Sequence, residues 1–404
     1  MTDIVESAET STLLDELTRM PGREDPYPRY HRLREISPLV RAEDGALVAT
    51  RYADCAAITR DPRLGHMPSH MLDFVSPGWN DHPALRQLFT SILTINPPDH
   101  TRLRRLVSSS FTARRVQALR PTITQMVDDL LDEMSGETDF VTAFAFPLPV
   151  NVIGELLGIP PADRAQFQHL VRDWTQVLEQ INPAVLETAD PAAATIRAYL
   201  SDLAADRRSA PRDDLISALV LAEEDGEKLT EDELLTMAGL LFAAGFETTT
   251  NLLANSLVAL LHNPDQLALL RDKPEIAREA VDELLRYDTP VQLLTRVAWE
   301  DVEIGGIAVS GGDRIVAYLG AGNRDPQRFP DPDRLDLTRP DNGPLSFGGG
   351  IHYCLGAPLA RMEAEIAVPA LVRRFPELRL AGDPVRRNSL TLRGYTSLPV
   401  NTGS

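Results

Sequence analysis

Phe347-Gly348-Gly349-Gly350-Ile351-His352-Tyr353-Cys354-Leu355-Gly356 sets a single thiol in a glycine-rich loop directly ahead of a helix-forming run at 357–374. A cysteine becomes a thiolate where N–H donors and positive charge surround it, and the first turn of a helix supplies both through its unpaired amides and its dipole. Cys354 has that setting. Gly348, Gly349, Gly350 and Gly356 carry no Cβ, so the backbone is free to take positive φ and to lie against a flat macrocycle. Phe347 stands where its ring would cover the sulfur. Such a loop presents a cysteine to a haem iron, whereas a buried, inert cysteine would need none of this spacing.

Composition narrows the class further. The 404 residues are 43% hydrophobic and 25% charged, a globular balance with ample material for a large core. A net charge of −19 disfavours general nucleic-acid binding, and basic charge is almost all arginine, with Lys228 and Lys273 the only lysines. Cys55 and Cys354 lie far apart with no secretion signal ahead of them, which points to free thiols in a reducing cytoplasm. Residues 1–20 read as a flexible N-terminal segment and carry no export signal or membrane anchor. The most apolar stretch, 234–261, is interrupted by Glu247, Asn251 and Asn255, which would be costly against lipid. It is expected to be one buried helix of roughly 40 Å.

Helical periodicity dominates the rest. Short helices are expected at 26–36 and 51–60, flanking a hairpin over 39–50 that turns at Asp44-Gly45. The stretch 61–100 is rich in Pro and His and too long for an idle connection, so it reads as a functional loop with short helical pieces. His66, His70 and His82 fall in or near it and suit exposure or the lining of a mouth better than metal ligation. Helices are expected at 101–109, 116–135, 142–158, 161–180, 191–208, 213–223, 232–262, 274–287 and 357–374, with strand-like alternation at 302–319 and 390–400. There is no phosphate-binding loop or dinucleotide fingerprint, and no Cys-x-x-Cys-His for covalent haem attachment.

The spacing Phe-Gly-x-Gly-x-His-x-Cys-x-Gly at 347, 348, 350, 352, 354 and 356 resembles the signature of the cytochrome P450 haem-thiolate monooxygenases. The resemblance covers nearly the whole chain. It implies one mainly α domain over 1–404 with smaller β-sheet regions, binding haem b through Cys354 as the axial iron ligand. Ala244-Gly245-Phe246-Glu247-Thr248-Thr249 resembles the family's oxygen-activating segment. Small residues at Ala244 and Gly245 would let a cofactor face approach the helix, and Glu247 and Thr248 would supply the protons that O–O cleavage needs. A threonine bonded back to a helix carbonyl is the plainer reading of Thr248. Glu283-Leu284-Leu285-Arg286 resembles the buried pair that locks the cysteine loop, with Arg334 as the downstream arginine completing it. His100, Arg104, Arg296 and His352 match the family's propionate partners, and Phe347, Gly348 and Gly356 its haem-loop positions.

The expected reaction draws on O2 and two electrons from NAD(P)H, relayed by a ferredoxin reductase and a ferredoxin, to hydroxylate or epoxidise a lipophilic small molecule. Residues 101–120 hold six arginines and no acid, either a dock for an acidic ferredoxin or an ordinary basic helix face. A monomer is expected. The resemblance places the substrate pocket around His70, Met71, Phe74, Trp79, Ile92 and Leu93, with Phe242, Val291, Leu293, Leu294 and Leu392 from later segments. A medium-to-large metabolite such as a polyketide, terpenoid or steroid suits so apolar a set. Two other functions fit a haem protein: a peroxygenase using hydrogen peroxide directly, and a non-catalytic haem sensor or ligand carrier.

Overall fold

Thr230 and Glu233 start the longest helix of the molecule, Glu231–Leu261. The Thr230 hydroxyl accepts the Glu233 N–H at 3.2 Å, and the Glu233 carboxylate accepts the Thr230 N–H at 2.8 Å. Glu231, Asp232 and Glu233 further favour this end by facing the positive pole of the helix dipole. The helix is apolar on nearly every side because other helices surround it: Pro147–Leu157, Pro183–Ser209, Ala277–Tyr287 and Ala357–Arg374 all pack on it. One of the polar residues that interrupt it, Asn255, ties it to its neighbours. Asn255 donates to the carbonyls of Asp288 and Arg393 at 3.2 and 3.0 Å and accepts from Arg386 at 3.1 Å.

The computed structural model describes residues 7–20, 22–224 and 226–403. Beside the helical body lies a five-stranded sheet in the order Leu39–Arg41, Leu47–Ala49, Arg314–Tyr318, Leu293–Ala298, Leu64–Gly65. Only the pairing of Leu47–Ala49 with Arg314–Tyr318 is parallel. Strand alternation splits its side chains between two cores. Leu47, Ala49, Ile315 and Ala317 face one, and Val40, Val48 and Tyr318 the other. Among the described residues, no helix is long and apolar enough to cross a membrane.

The expected helix at 357–374 is Ala357–Arg374, and the hairpin turns at Gly45 with φ +82°. Other expectations need correction. The supposedly flexible 1–20 contains the helix Ala8–Leu17, capped by Ser7 and anchored by fully buried Thr10 and Leu17; residues 1–6 lie outside the described part. The helix expected at 191–208 is Pro183–Ser209, because Asn182 caps it and Pro183 takes a first-turn place, leaving Pro191 inside the helix. The helix at 161–180 breaks into Pro161–Arg164, Phe167–Thr175 and a single turn, Gln176–Leu178. The helix Pro264–Asp272 and the strand Leu293–Ala298 were not anticipated.

Asp288 joins the N-terminal region, the end of Ala277–Tyr287 and the C-terminal strands. Its carboxylate accepts from Arg393 Nε at 2.6 Å, the Tyr27 hydroxyl at 2.7 Å and Arg386 Nη2 at 3.2 Å. Burial alone would push this acid up, but Arg393 and Arg386 outweigh it and hold the group well below the usual carboxylate range. Replacing Asp288 with Asn is expected to cost about 3–5 kcal/mol by leaving buried guanidinium groups unpaired. A folded-state pKa below the unfolded one stabilises above the ordinary value of 3.8 and loses that contribution as pH falls below it. The urea midpoints of wild type and Asp288→Asn should therefore differ most near neutrality and converge on acidification.

Candidate active site

Two single turns, Leu345–Phe347 and Gly350–His352, carry the chain to Cys354, three residues before the helix Ala357–Arg374. The Cys354 N–H donates to the Phe347 carbonyl at 3.0 Å, closing the loop on itself. Gly348 and Gly350 take the left-handed φ of +67° and +62° that side chains resist. Gly349 and Gly356 have ordinary φ, contrary to expectation; Gly349 is needed because a Cβ there would lie 2.5 Å from Thr59 Oγ1. A Cβ on Gly348 would meet nothing within 4 Å, and one on Gly356 only the Cys354 sulfur at 3.9 Å, so this side of the loop is open to a flat group. Burial pushes the Cys354 thiol up, opposed by the Gly356 N–H, the Arg104 charge, the Ala357 N–H and the Arg361 charge. The Phe347 ring lies under the Arg361 guanidinium at 4.5 Å.

Glu283 and Arg286 are wholly buried and bonded bidentately, at 2.7 and 2.8 Å. Arg286 also donates to the carbonyls of Asn323, Pro332 and Arg334 at 2.9, 2.8 and 3.2 Å. Asn323 passes this anchorage to the cysteine loop: its Oδ1 accepts the Leu345 N–H at 2.7 Å and its Nδ2 donates to Ser346 Oγ at 3.1 Å. The second guanidinium on Glu283 belongs to Arg339, at 3.3 Å, and not to Arg334. The chain doubles back after Pro330, with Leu335 and Leu337 turned inward; Arg339 donates to the carbonyls of Pro330 and Arg334, while the Arg334 side chain stays exposed.

On the far side of the loop, five basic groups gather with no acid among the described residues beside them. The His100 and His352 rings are 4.3 Å apart, and His352 and His66 4.7 Å. Both ring nitrogens of buried His100, and Nε2 of His66 and of His352, have no hydrogen-bond partner. Burial and the neighbouring arginines push His100 down to about 4; burial, Arg296 and His100 push His352 down to about 3. Burial brings Arg296 down to about 10. Arg104 donates to the Tyr353 carbonyl at 2.7 Å. Orphaned nitrogens beside buried cations are costly unless something anionic meets them, which fits the two carboxylates of a haem above the open glycine loop. His66 was not assigned to this cluster from sequence. Pairing of Leu64–Gly65 with Val297 and Ala298 sets it beside Arg296, and Asn96 Oδ1 holds its N–H at 2.9 Å.

On the central helix, Ala244 is exposed and Gly245 and Thr248 half-buried within an otherwise buried stretch, and Ala244 and Thr248, four residues apart, open onto one space. Thr248 Oγ1 donates to the Ala244 carbonyl at 2.9 Å, leaving its lone pairs free. Gly245 is turned about 100° away by helix geometry: a Cβ there would lie 3.0 Å from Ile153, so it serves helix packing and not cofactor approach. Glu247 is buried, with Oε1 against Arg387 Nη1 as an ion pair that lacks hydrogen-bond alignment. Arg387 had no assignment from sequence.

The pocket candidates divide. Leu294 shares a face of its strand with Arg296, and Leu392 bridges to Val291. Ile92 gives its carbonyl to His352 at 3.2 Å, and Leu93 is exposed. Leu293 points to the opposite face, toward Val316 and Leu390, as the two-residue strand period requires. Phe242 is core, packed between the Phe167 and Phe246 rings. His70, Met71 and Phe74 lie on the short helix Ser69–Val75 with outward side chains, Phe74 being 79% exposed, and Trp79 packs edge-on to Phe89 at 5.7 Å. His82 pairs with Asp190 at 2.6 Å, apart from the His66 cluster. Among the described residues, Arg102 pairs with Glu233, Arg115 with Asp213 and Arg120 with Glu365, so that face is less basic than its sequence implies.

Removing the Arg339 side chain is expected to cost about 3 kcal/mol, because Glu283 keeps its burial while losing a charge partner. Arg334→Ala should change stability by less than about 0.5 kcal/mol. Thermal melts and haem retention after gel filtration of the two variants distinguish them, and equal effects would return Arg334 to the network.

The sequence profile described as "Cytochrome P450" matches residues 69–392. Cytochrome P450 107B1 of Saccharopolyspora erythraea is 44% identical over 395 residues, covering 94% of this chain and 96% of its own. The 6-deoxyerythronolide B hydroxylase of the same organism is 43% identical over 390 residues, covering 93% and 96%. The structure of cytochrome P450 PksS of the Bacillus subtilis bacillaene polyketide synthase superposes with a TM-score of 0.86 at 39% identity, over 96% of this chain and 99% of that one. With its thiol loop, basic cluster and Glu283–Arg286 lock, this chain belongs to the bacterial cytochrome P450 family and is a haem-dependent monooxygenase.

Proposed function

We propose that this monooxygenase hydroxylates or epoxidises a medium-to-large lipophilic secondary metabolite, a polyketide before a terpenoid or steroid, in the cytoplasm. Support for the substrate class comes from the relatives' names, which include a 6-deoxyerythronolide B hydroxylase and a polyketide-synthase P450, and from the apolar Ile92, Leu93, Val291, Leu294 and Leu392. The observation that carries the chemistry is one thiol ringed by N–H groups and arginines, next to a basic cluster that lacks an anion.

When bound, the haem supplies oxygen activation and insertion, with thiolate donation favouring O–O cleavage. Cys354 would hold the iron, and Arg104, Arg296, His66, His100 and His352 would hold the carboxylates. Thr248, its proton committed to the Ala244 carbonyl, offers lone pairs to a donor in the space onto which Ala244 opens. Glu247 gives access to bulk protons once its contact with Arg387 loosens. Electrons come from NAD(P)H through a reductase and an acidic ferredoxin. The carrier docks over Arg104, where Ile351 and Tyr353 are 52% and 41% exposed near the cysteine.

The reduced protein with carbon monoxide should give a strongly red-shifted Soret band that Cys354→Ser abolishes; a band surviving that change would remove Cys354 as ligand. In a reconstituted ferredoxin system, Thr248→Ala should keep haem and NAD(P)H consumption but lose roughly tenfold or more of the product formed per electron pair, released instead as hydrogen peroxide. Unchanged coupling would remove Thr248 from proton handling.

A further inference from the structure

Arg361 lies one turn into the helix Ala357–Arg374, beside the cysteine loop, and had no assignment from sequence. Its guanidinium makes three contacts. Nε donates to Asp282 Oδ1 at 2.8 Å, and Nη1 donates to the Tyr353 hydroxyl at 3.2 Å. Cζ stands 4.5 Å from the centre of the Phe347 ring, within reach of a cation–π contact. Phe347 and Tyr353 both belong to the loop that the Cys354 N–H closes on the Phe347 carbonyl.

Asp282 is held from the core. It precedes Glu283 on the helix Ala277–Tyr287, and the buried Glu283–Arg286 pair fixes that helix against the loop from the inside. The acid on the outer side meets Arg361 at a place the same helix sets. The two side chains are 24% and 23% exposed, so solvent and salt screen their charges only in part. Burial pulls the Arg361 pKa down, but the Tyr353 hydroxyl and Asp282 outweigh it, and the group stays charged. Arg104 and Arg361 both act on the Cys354 thiol, yet their situations differ. Arg104 belongs to the basic cluster that the carboxylates of a haem would neutralise. Arg361 stands outside that cluster, and among the described residues the acid that pairs with it is Asp282. Its charge therefore remains beside the loop once the cluster is satisfied.

We propose that Arg361 and Asp282 are a charge pair that sets the reduction potential of the iron, Arg361 acting on the Cys354 sulfur through the Phe347 loop and Asp282 withholding part of that charge. The proposal rests on the monooxygenase reading. One-electron reduction adds a negative charge to the iron and its thiolate, and a fixed cation nearby favours that state while a fixed anion disfavours it. Arg361 thus raises the potential and Asp282 lowers it. Neither touches the reacting atoms, so both are positioning residues, and together they set how readily the carrier reduces the protein.

The test is the midpoint potential of the haem-loaded full chain, titrated spectroelectrochemically without substrate, in variants that each keep the thiolate-type carbon-monoxide band. Arg361→Gln should move the ferric–ferrous equilibrium about tenfold toward ferric, a potential about 59 mV lower for one electron. Asp282→Asn should move it about threefold the other way, and the double variant should fall between the two. Tyr353→Phe takes a hydrogen-bond partner from Arg361 but no charge, and should stay within about twofold of wild type. Simple loosening of the loop would shift both charge variants in the same direction, and that result would overturn the proposal. So would wild-type potentials in both, or a shift in Tyr353→Phe as large as in Arg361→Gln. Should Arg361→Gln lose its haem, Asp282→Asn carries the test, and an unchanged or lowered potential there overturns the pair. Failure of the monooxygenase reading is separate and would appear as the absence of the thiolate-type band in wild type.

Discussion

Keeping one sulfur atom available to a metal inside a protein is the constraint that organises this molecule. Burial opposes ionisation of Cys354, and only the Gly356 and Ala357 N–H groups, with Arg104 and Arg361, oppose burial. Those donors act only if the loop is rigid, since a thiolate free to swing into solvent would lose them. Rigidity comes from deeper in the fold. Glu283 and Arg286 hold Asn323, and Asn323 holds Leu345 and Ser346 at the head of the loop. Wholly buried ion pairs add little net stability for the desolvation they incur, so the worth of this one lies in the geometry it imposes.

The same logic explains why the basic cluster carries no acid of its own. Three imidazoles and two guanidinium groups share this space: burial, helped by neighbouring positive charge, holds His100 and His352 down, and burial lowers Arg296, so ionising these groups here is costly. A ligand bringing two carboxylates would relieve that cost, so folding energy is converted into selectivity for a dianionic cofactor. The long helix contributes a different economy. Away from its ends, nearly all of its surface is committed to packing, with Ala244 the one exposed position and Gly245 and Thr248 half-buried.

Much of the site was legible from residue spacing because the relevant groups sit close together in the chain. The cysteine loop, the Glu283–Arg286 pair and the Ala244–Thr248 step are each contained within one or two helical turns. Errors occurred where a side chain's direction depended on distant elements. Arg339 replaced Arg334 because the chain doubles back after Pro330, and Leu293 left the pocket because its strand pairs with Arg314–Tyr318 in one particular register. The helix expected from 191 starts at Pro183, because the side chain of Asn182, outside the expected range, caps it there.

By itself, the sequence determined the helical character of the chain and the buried central helix, consequences of short-range periodicity, while the thiol loop and the basic partners of a cofactor were expected from a family resemblance. Tertiary structure alone decided which groups from remote segments converge. His66 joins His352 through a two-residue strand, Arg387 meets Glu247, and Glu179 meets the turn at 389–392. These partners lie far apart along the chain, and no local pattern encodes a contact whose existence depends on sheet register and on how helices stack around the central one.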